Sequence, residues 1–162
     1  MSFWDRLTGG KSKPSDENLD YLNEALALER QGDYDAALTS YRLALRQKPN
    51  NHKVLQNMAI AYSRLGQMDE AVRFYRRALA IDPKLSGAHY GLAFLLLRRG
   101  EVGDAAYHLE AFLMEPPRSP EAERWVKYAQ KTLAEMKSTD SPPPPAPANQ
   151  RLKTNEYPGI LE

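Results

Sequence analysis

Three histidines, His52, His89 and His108, are the side chains with which this chain would hold a metal ion or relay a proton near neutral pH. Their spacing matches no metal-ligand pattern, and the absence of cysteine removes any thiolate that would join them. His89 falls at a packing place on a helical stripe, which favours a hydrogen-bonded structural role over ligation. Gly9-Gly10-Lys11-Ser12 looks like the end of a phosphate loop but lacks the preceding strand and the upstream glycine. The carboxylates Asp33, Asp35, Asp69, Glu70 and Asp104 stand where helices are expected to begin, and there they complement the helix dipole. The pairs Arg76-Arg77 and Arg98-Arg99 read as solvated helix faces, with Arg64 and Arg98 available to orient an acidic peptide. No nucleophile, base or metal set converges. The expectation is therefore no catalytic residue, no cofactor, no metal and no enzyme.

The elements that carry these residues repeat. Gly32, Gly66 and Gly100 are equally spaced (66 − 32 = 34 and 100 − 66 = 34), and each is followed by an alanine (Ala37, Ala71, Ala105) and a proline (Pro49, Pro83, Pro117) at matching offsets. A fixed period of this size marks stacked units, each too small to bury its own apolar face. Between the punctuating residues the apolar spacing is helical: Tyr21, Ala25 and Leu28; Leu55, Met58, Ala59 and Tyr62; His89, Leu92, Ala93 and Leu96. Each first helix should end at its glycine in a left-handed turn. Each second helix carries small residues where two backbones must approach closely, and stops before its proline. Ser119-Pro120-Glu121 opens one more helix, over about 120–137, whose polar side (Glu123, Lys127, Lys131, Glu135) suits it to cap the stack. Residues 1–17 are expected to be a flexible leader with an aromatic cluster. Residues 138–162, with Pro142-Pro143-Pro144-Pro145, are expected to be a proline-rich disordered tail.

Composition narrows the function further. Lys plus Arg is 22 against 21 for Asp plus Glu, a net charge of +1, which leaves no basic footprint for nucleic acid. No apolar run reaches the roughly 18–20 residues of a membrane span. Met1-Ser2-Phe3-Trp4-Asp5-Arg6-Leu7 lacks the features of a secretory signal, and Ser2 is not a myristoylation site, so a cytoplasmic location is expected.

Residues 18–119 resemble three tetratricopeptide repeats, 18–51, 52–85 and 86–119, with the family's small residue at Ala25, Ala59 and Ala93 and its large residue at Leu28, Tyr62 and Leu96. The pattern Ala37-Tyr41-Ala44 and Ala71-Tyr75-Ala78 also matches, whereas repeat three departs with Leu109 and Phe112. Phe112 is expected to push its helix outward or to pack on the capping helix. The resemblance implies an all-α, right-handed superhelix of three helix-turn-helix repeats with a C-terminal capping helix. Its concave face, lined by first helices, would hold a peptide. Within it the groove positions are Leu22 and Leu26, Asn57, Ile60 and Arg64, Tyr90, Phe94, Leu97 and Arg98, and, on the capping helix, Trp125 and Tyr128. Gly87 and Gly91 on the same face would let a ligand backbone come close.

The family's carboxylate clamp for acidic chaperone tails is not expected, because its places hold Leu22, Leu26, Asn57, Gly87 and Gly91, and only Asn57 matches. The groove is apolar and aromatic instead, suiting a non-enzymatic protein–protein interaction adaptor for an apolar peptide or helix. Other roles stay open for the same residues: Trp125 as core of the capping helix, and Leu22 and Leu26 as a seat for residues 1–17. Phe3-Trp4-Leu7 or Tyr157-Ile160-Leu161 could serve as a self-ligand, as docking motifs for other proteins or, for the first cluster, as a weak contact to a membrane surface. The alternative function is a self-assembling scaffold in which the tails or repeat ends of one copy engage the groove of another.

Overall fold

The computed structural model describes residues 20–138, and all regular structure among them is helical. Helices α1 (Tyr21–Gln31), α2 (Tyr34–Gln47), α3 (His52–Arg64), α4 (Met68–Ile81), α5 (Ser86–Arg98), α6 (Val102–Met114) and α7 (Ala122–Ser138) follow one another in chain order. They pack as hairpins α1/α2, α3/α4 and α5/α6; each second helix then lies on the next first helix, α6 lies on α7, and α3 touches α5 directly.

Local chemistry sets the boundaries. Asp20, Asp33 and Asn51 cap α1, α2 and α3 by accepting the backbone N–H of Asn23 (3.0 Å), Ala36 (3.1 Å) and Val54 (3.2 Å). The hairpin turns share one closure. Gly32, Gly66 and Gly100 have φ of 82°, 75° and 77°, a region that disfavours residues with a side chain. The next N–H along the chain then reaches back across the turn, from Asp33 to the Leu28 carbonyl (3.0 Å), Gln67 to Tyr62 (2.9 Å) and Glu101 to Leu96 (2.9 Å).

The small residues sit where the helices meet. Ala25, Ala59 and Ala93 on the first helices and Ala37, Ala71 and Ala105 on the second are fully buried. Around them runs a main core that includes Tyr41, Leu55, Met58, Tyr75, Leu92 and Leu96. A second core joins α5 and α6 to α7 through Tyr90, Leu109, Phe112, Ala122, Trp125, Ala129 and Leu133. Phe112 thus packs on the last helix, as its size requires. Burial of each such side chain contributes roughly 1.5–3 kcal/mol, and none of the hairpins could supply that alone. The outer side of α7 is polar and carries the ion pairs Lys127–Glu123 (2.7 Å) and Lys131–Glu135 (3.8 Å). Among the described residues no helix is long and apolar enough to cross a membrane.

Candidate peptide-binding groove

The face carried by α1, α3 and α5 is continued by α7. Leu22 and Leu26, one turn apart on α1, are half-buried and rest against the main core. On α3, Asn57 and Ile60 are buried at 4% and 0% exposure, while Arg64 in the last turn is half-buried. On α5, Tyr90 is buried, Phe94 and Leu97 are half-buried and Arg98 is exposed. On α7, Trp125 is buried and Tyr128 is exposed. These residues therefore fall into two groups. Asn57, Ile60, Tyr90 and Trp125 are closed off from solvent, whereas Leu22, Leu26, Arg64, Phe94, Leu97, Arg98 and Tyr128 keep accessible surface.

The aromatic members come together at one end. The Tyr90 ring lies 4.8 Å from Phe94, 5.0 Å from Phe112 and 6.5 Å from Trp125, all tilted. Phe94 and Tyr128 stack at 5.1 Å with their planes 23° apart. Tilted and offset rings of this kind add attraction beyond the area they bury. Tyr90 and Trp125 act in packing α7 onto the third hairpin, and Phe94 with Tyr128 forms the rim they support. Burial first, and the nearby Glu135 second, push the Tyr128 hydroxyl above its ordinary range, so it stays a neutral donor.

The other end contains a polar set that sequence reasoning missed. Glu29 is buried at 2% exposure on α1, and the Tyr41 hydroxyl of α2 donates to its Oε2. Asn57 of α3 bonds the same hydroxyl, so three helices share one junction. Burial raises the Glu29 carboxyl above the usual range, while the Tyr41 bond and the charges of Arg64 and Arg30 pull the other way. Glu29 Oε1, Gln56 Oε1 and Asn57 Oδ1 are buried without a hydrogen-bond partner. A signal existed: the places equivalent to Glu29 one and two periods later hold Ser63 and Leu97, so a carboxylate there is exceptional within this chain.

Gly91 plays a different part from the one expected. A Cβ built on it would lie 2.3 Å from the Tyr75 hydroxyl oxygen and 2.5 Å from Tyr75 Cζ. The space is filled by the preceding repeat's tyrosine instead of being kept for a ligand backbone. His89 is likewise structural. Its Nε2 lies 2.9 Å from the Pro83 carbonyl and so carries the proton, leaving Nδ1 to accept from His108 Nδ1 at 2.8 Å. The His108 imidazole is pushed down to about 4, chiefly by burial and then by His89. His52 lies apart, 3.6 Å from Asp82, and no group of three or more metal-binding side chains occurs among the described residues.

Two sequence profiles of the tetratricopeptide repeat match the chain, over residues 18–84 and 66–124. The chain belongs to the tetratricopeptide repeat family. Solved structures agree on the fold. The type III secretion translocator chaperone SycD of Yersinia enterocolitica, in complex with a peptide of the translocator YopD, matches with a TM-score of 0.70 at 19% identity, over 78% of this chain and 97% of that one. A further structure of SycD matches with a TM-score of 0.68 at 19% identity, over 82% and 90% of the two chains. An O-GlcNAc transferase of Thermobaculum terrenum matches with a TM-score of 0.59 at 27% identity, over 67% of this chain but 21% of that one. No curated protein matches the chain by sequence. The tetratricopeptide hairpins are thus secure as architecture. The apolar groups Phe3, Trp4, Leu7, Tyr157, Ile160 and Leu161 lie outside the described residues.

Proposed function

We propose that this tetratricopeptide repeat protein is a non-enzymatic adaptor that holds an apolar peptide segment against the face carried by α1, α3, α5 and α7. The observation that carries this is the stacked Phe94–Tyr128 pair, which leaves aromatic surface accessible on a rigid base of buried Tyr90 and Trp125. Half-buried Leu97, Leu22 and Leu26 extend the same apolar strip, with Arg98 at its margin. Preorganised rings of this kind cost little entropy to dock against, and each buried anchor of the ligand is worth roughly 1.5–3 kcal/mol. The translocator chaperone of the same fold that is known with a bound peptide supports a peptide as the occupant. The adaptor needs no cofactor and takes no nucleic acid. It does not use the carboxylate clamp, since Gly87 and Gly91 stand where the cations would be required.

The test is selection of peptides from a random library on the full chain, followed by anisotropy titration of a labelled selected peptide. The Phe94→Ala, Tyr128→Ala double variant should weaken binding by about tenfold or more, as the loss of one anchor predicts. Equal affinity of the variant and the unaltered chain refutes the groove.

A further inference from the structure

A second concavity lies on α4, away from the groove and sharing no residue with it. Asp69, Val72, Arg73, Arg76, Arg77 and Ala80 line it from α4 and Arg99 from just beyond α5, around an open hollow of about 420 Å³. The α4 residues fall at intervals of three and four and so share one helix face. Four guanidinium groups therefore surround a small apolar floor of Val72 and Ala80.

The cations are not equally satisfied. Arg99 is held twice, by Asp69 at 3.0 Å and by Glu101 at 2.6 Å. Arg73 pairs with Glu70. Arg76 and Arg77 pair with no carboxylate among the described residues. Arg77 is nevertheless fixed, because its guanidinium sits 5.2 Å from the centre of the Phe74 ring, at the same distance as that of Arg73. Phe74 itself is 5% exposed, so the ring serves as the arginines' support and is not offered to a ligand. Arg77 is thus held over the ring next to Arg76, and neither guanidinium is engaged by a carboxylate among the described residues. Guanidinium forks recognise oxyanions in bidentate fashion and are more weakly hydrated than ammonium groups.

We infer that this concavity binds an acidic peptide segment, with carboxylates on Arg76 and Arg77 and its backbone over Val72 and Ala80. The span from Arg73 to Ala80 is about 10 Å along the helix, which an extended segment of about three residues matches. The same arrangement disfavours a polyphosphate. Asp69 lines the concavity and Glu70 sits beside Arg73, so closely spaced phosphates would meet carboxylates, whereas charges spread along a peptide can pass between them. The site does not depend on the groove. A partner that carries both an apolar and an acidic stretch would engage the two faces together and gain avidity.

Fluorescence anisotropy of a fluorescein-labelled hexaglutamate with the full chain, at low and at physiological ionic strength, tests the site. Saturable, salt-weakened binding is expected, and the Arg76→Ala, Arg77→Ala variant should lose about fivefold or more of it. An Arg46→Ala, Lys48→Ala variant removes the same charge from exposed places on and just after α2 and should stay within about twofold of the unaltered chain. Circular dichroism confirms that both variants remain folded. Absence of binding, equal weakening in both variants, or tighter binding of tripolyphosphate than of hexaglutamate would each overturn the inference.

Discussion

Replacing Gly91 with alanine should destabilise the protein, although the substitution puts a better helix former inside a helix. In an unobstructed helix the change is favourable by about 1 kcal/mol. Here the new methyl would sit 2.3 Å from the Tyr75 hydroxyl, 2.5 Å from Cζ and 3.0 Å from Cε1, far inside contact distances of roughly 3.5–4 Å. Tyr75 is 1% exposed in the main core, so its ring has no solvent side to move toward. Forced repacking costs about 1–3 kcal/mol, and displacing a buried hydroxyl adds about 1 kcal/mol. The net loss is then about 2 kcal/mol, or a fall in Tm of about 6 °C for a chain of this size. Gly103 on α6 is the matched control, because nothing lies within 4 Å of a Cβ there. Gly103→Ala should be neutral or stabilising by up to about 1 kcal/mol. Thermal and urea unfolding followed at 222 nm gives both values. Tyr75→Leu should recover part of the Gly91→Ala loss, leaving a coupling of about 1 kcal/mol in the double-mutant cycle. A Gly91→Ala protein as stable as the Gly103→Ala protein would refute the account of this contact.

Two further outcomes concern buried titratable groups. Glu29→Gln keeps an acceptor for Tyr41 and removes a charge that burial disfavours. At neutral pH it should be neutral or stabilising by up to about 1 kcal/mol, while Glu29→Ala removes the acceptor of the Tyr41 O–H and should cost about 2 kcal/mol in urea unfolding. Because the folded carboxyl is raised, its favourable contribution is complete below about pH 4.5 and is lost as pH rises through the folded value. His108 has the opposite sign. Its folded value is lowered from 6.5 to about 4, so its contribution is complete above about pH 6.5 and is lost as pH falls toward 4. Discounted for the solvent that reaches the ring, the loss is about 1–2 kcal/mol. In a Glu29→Gln background, urea midpoints at pH 7.5 and 4.5 should differ less once His108→Gln is added. An unchanged difference would show that His108 does not supply the slope.

The architecture was legible because it is written in backbone constraints. Gly32, Gly66 and Gly100 have the positive φ that their period implied, and the alanines at the crossing points are buried without exception. Such constraints act within a few residues or at one helix crossing, so sequence position is enough to read them. The roles of Gly91 and Glu29 were not legible in the same way. Both depend on which side chain a neighbouring hairpin sends across, and helical spacing alone does not give that.

The equivalence of Tyr41 and Tyr75 shows how the repeats diverge under one set of packing rules. Tyr41 meets Asn57 and donates a hydrogen bond to Glu29, while one period later Tyr75 meets Gly91 (75 − 41 = 34 and 91 − 57 = 34). The Asn57 side chain fills space and bonds the first tyrosine; the lack of a side chain at Gly91 lets the second ring advance. The two tyrosines occupy the same place in the period but face different neighbours, polar at the first junction and bare backbone at the second. A similar dependence on neighbours separates the accessible pair Phe94–Tyr128 from Tyr90 and Trp125, which share their helices but are buried. The recognition proposed for this protein therefore rests on the places where the repeats differ, since the shared positions are consumed in holding hairpins together.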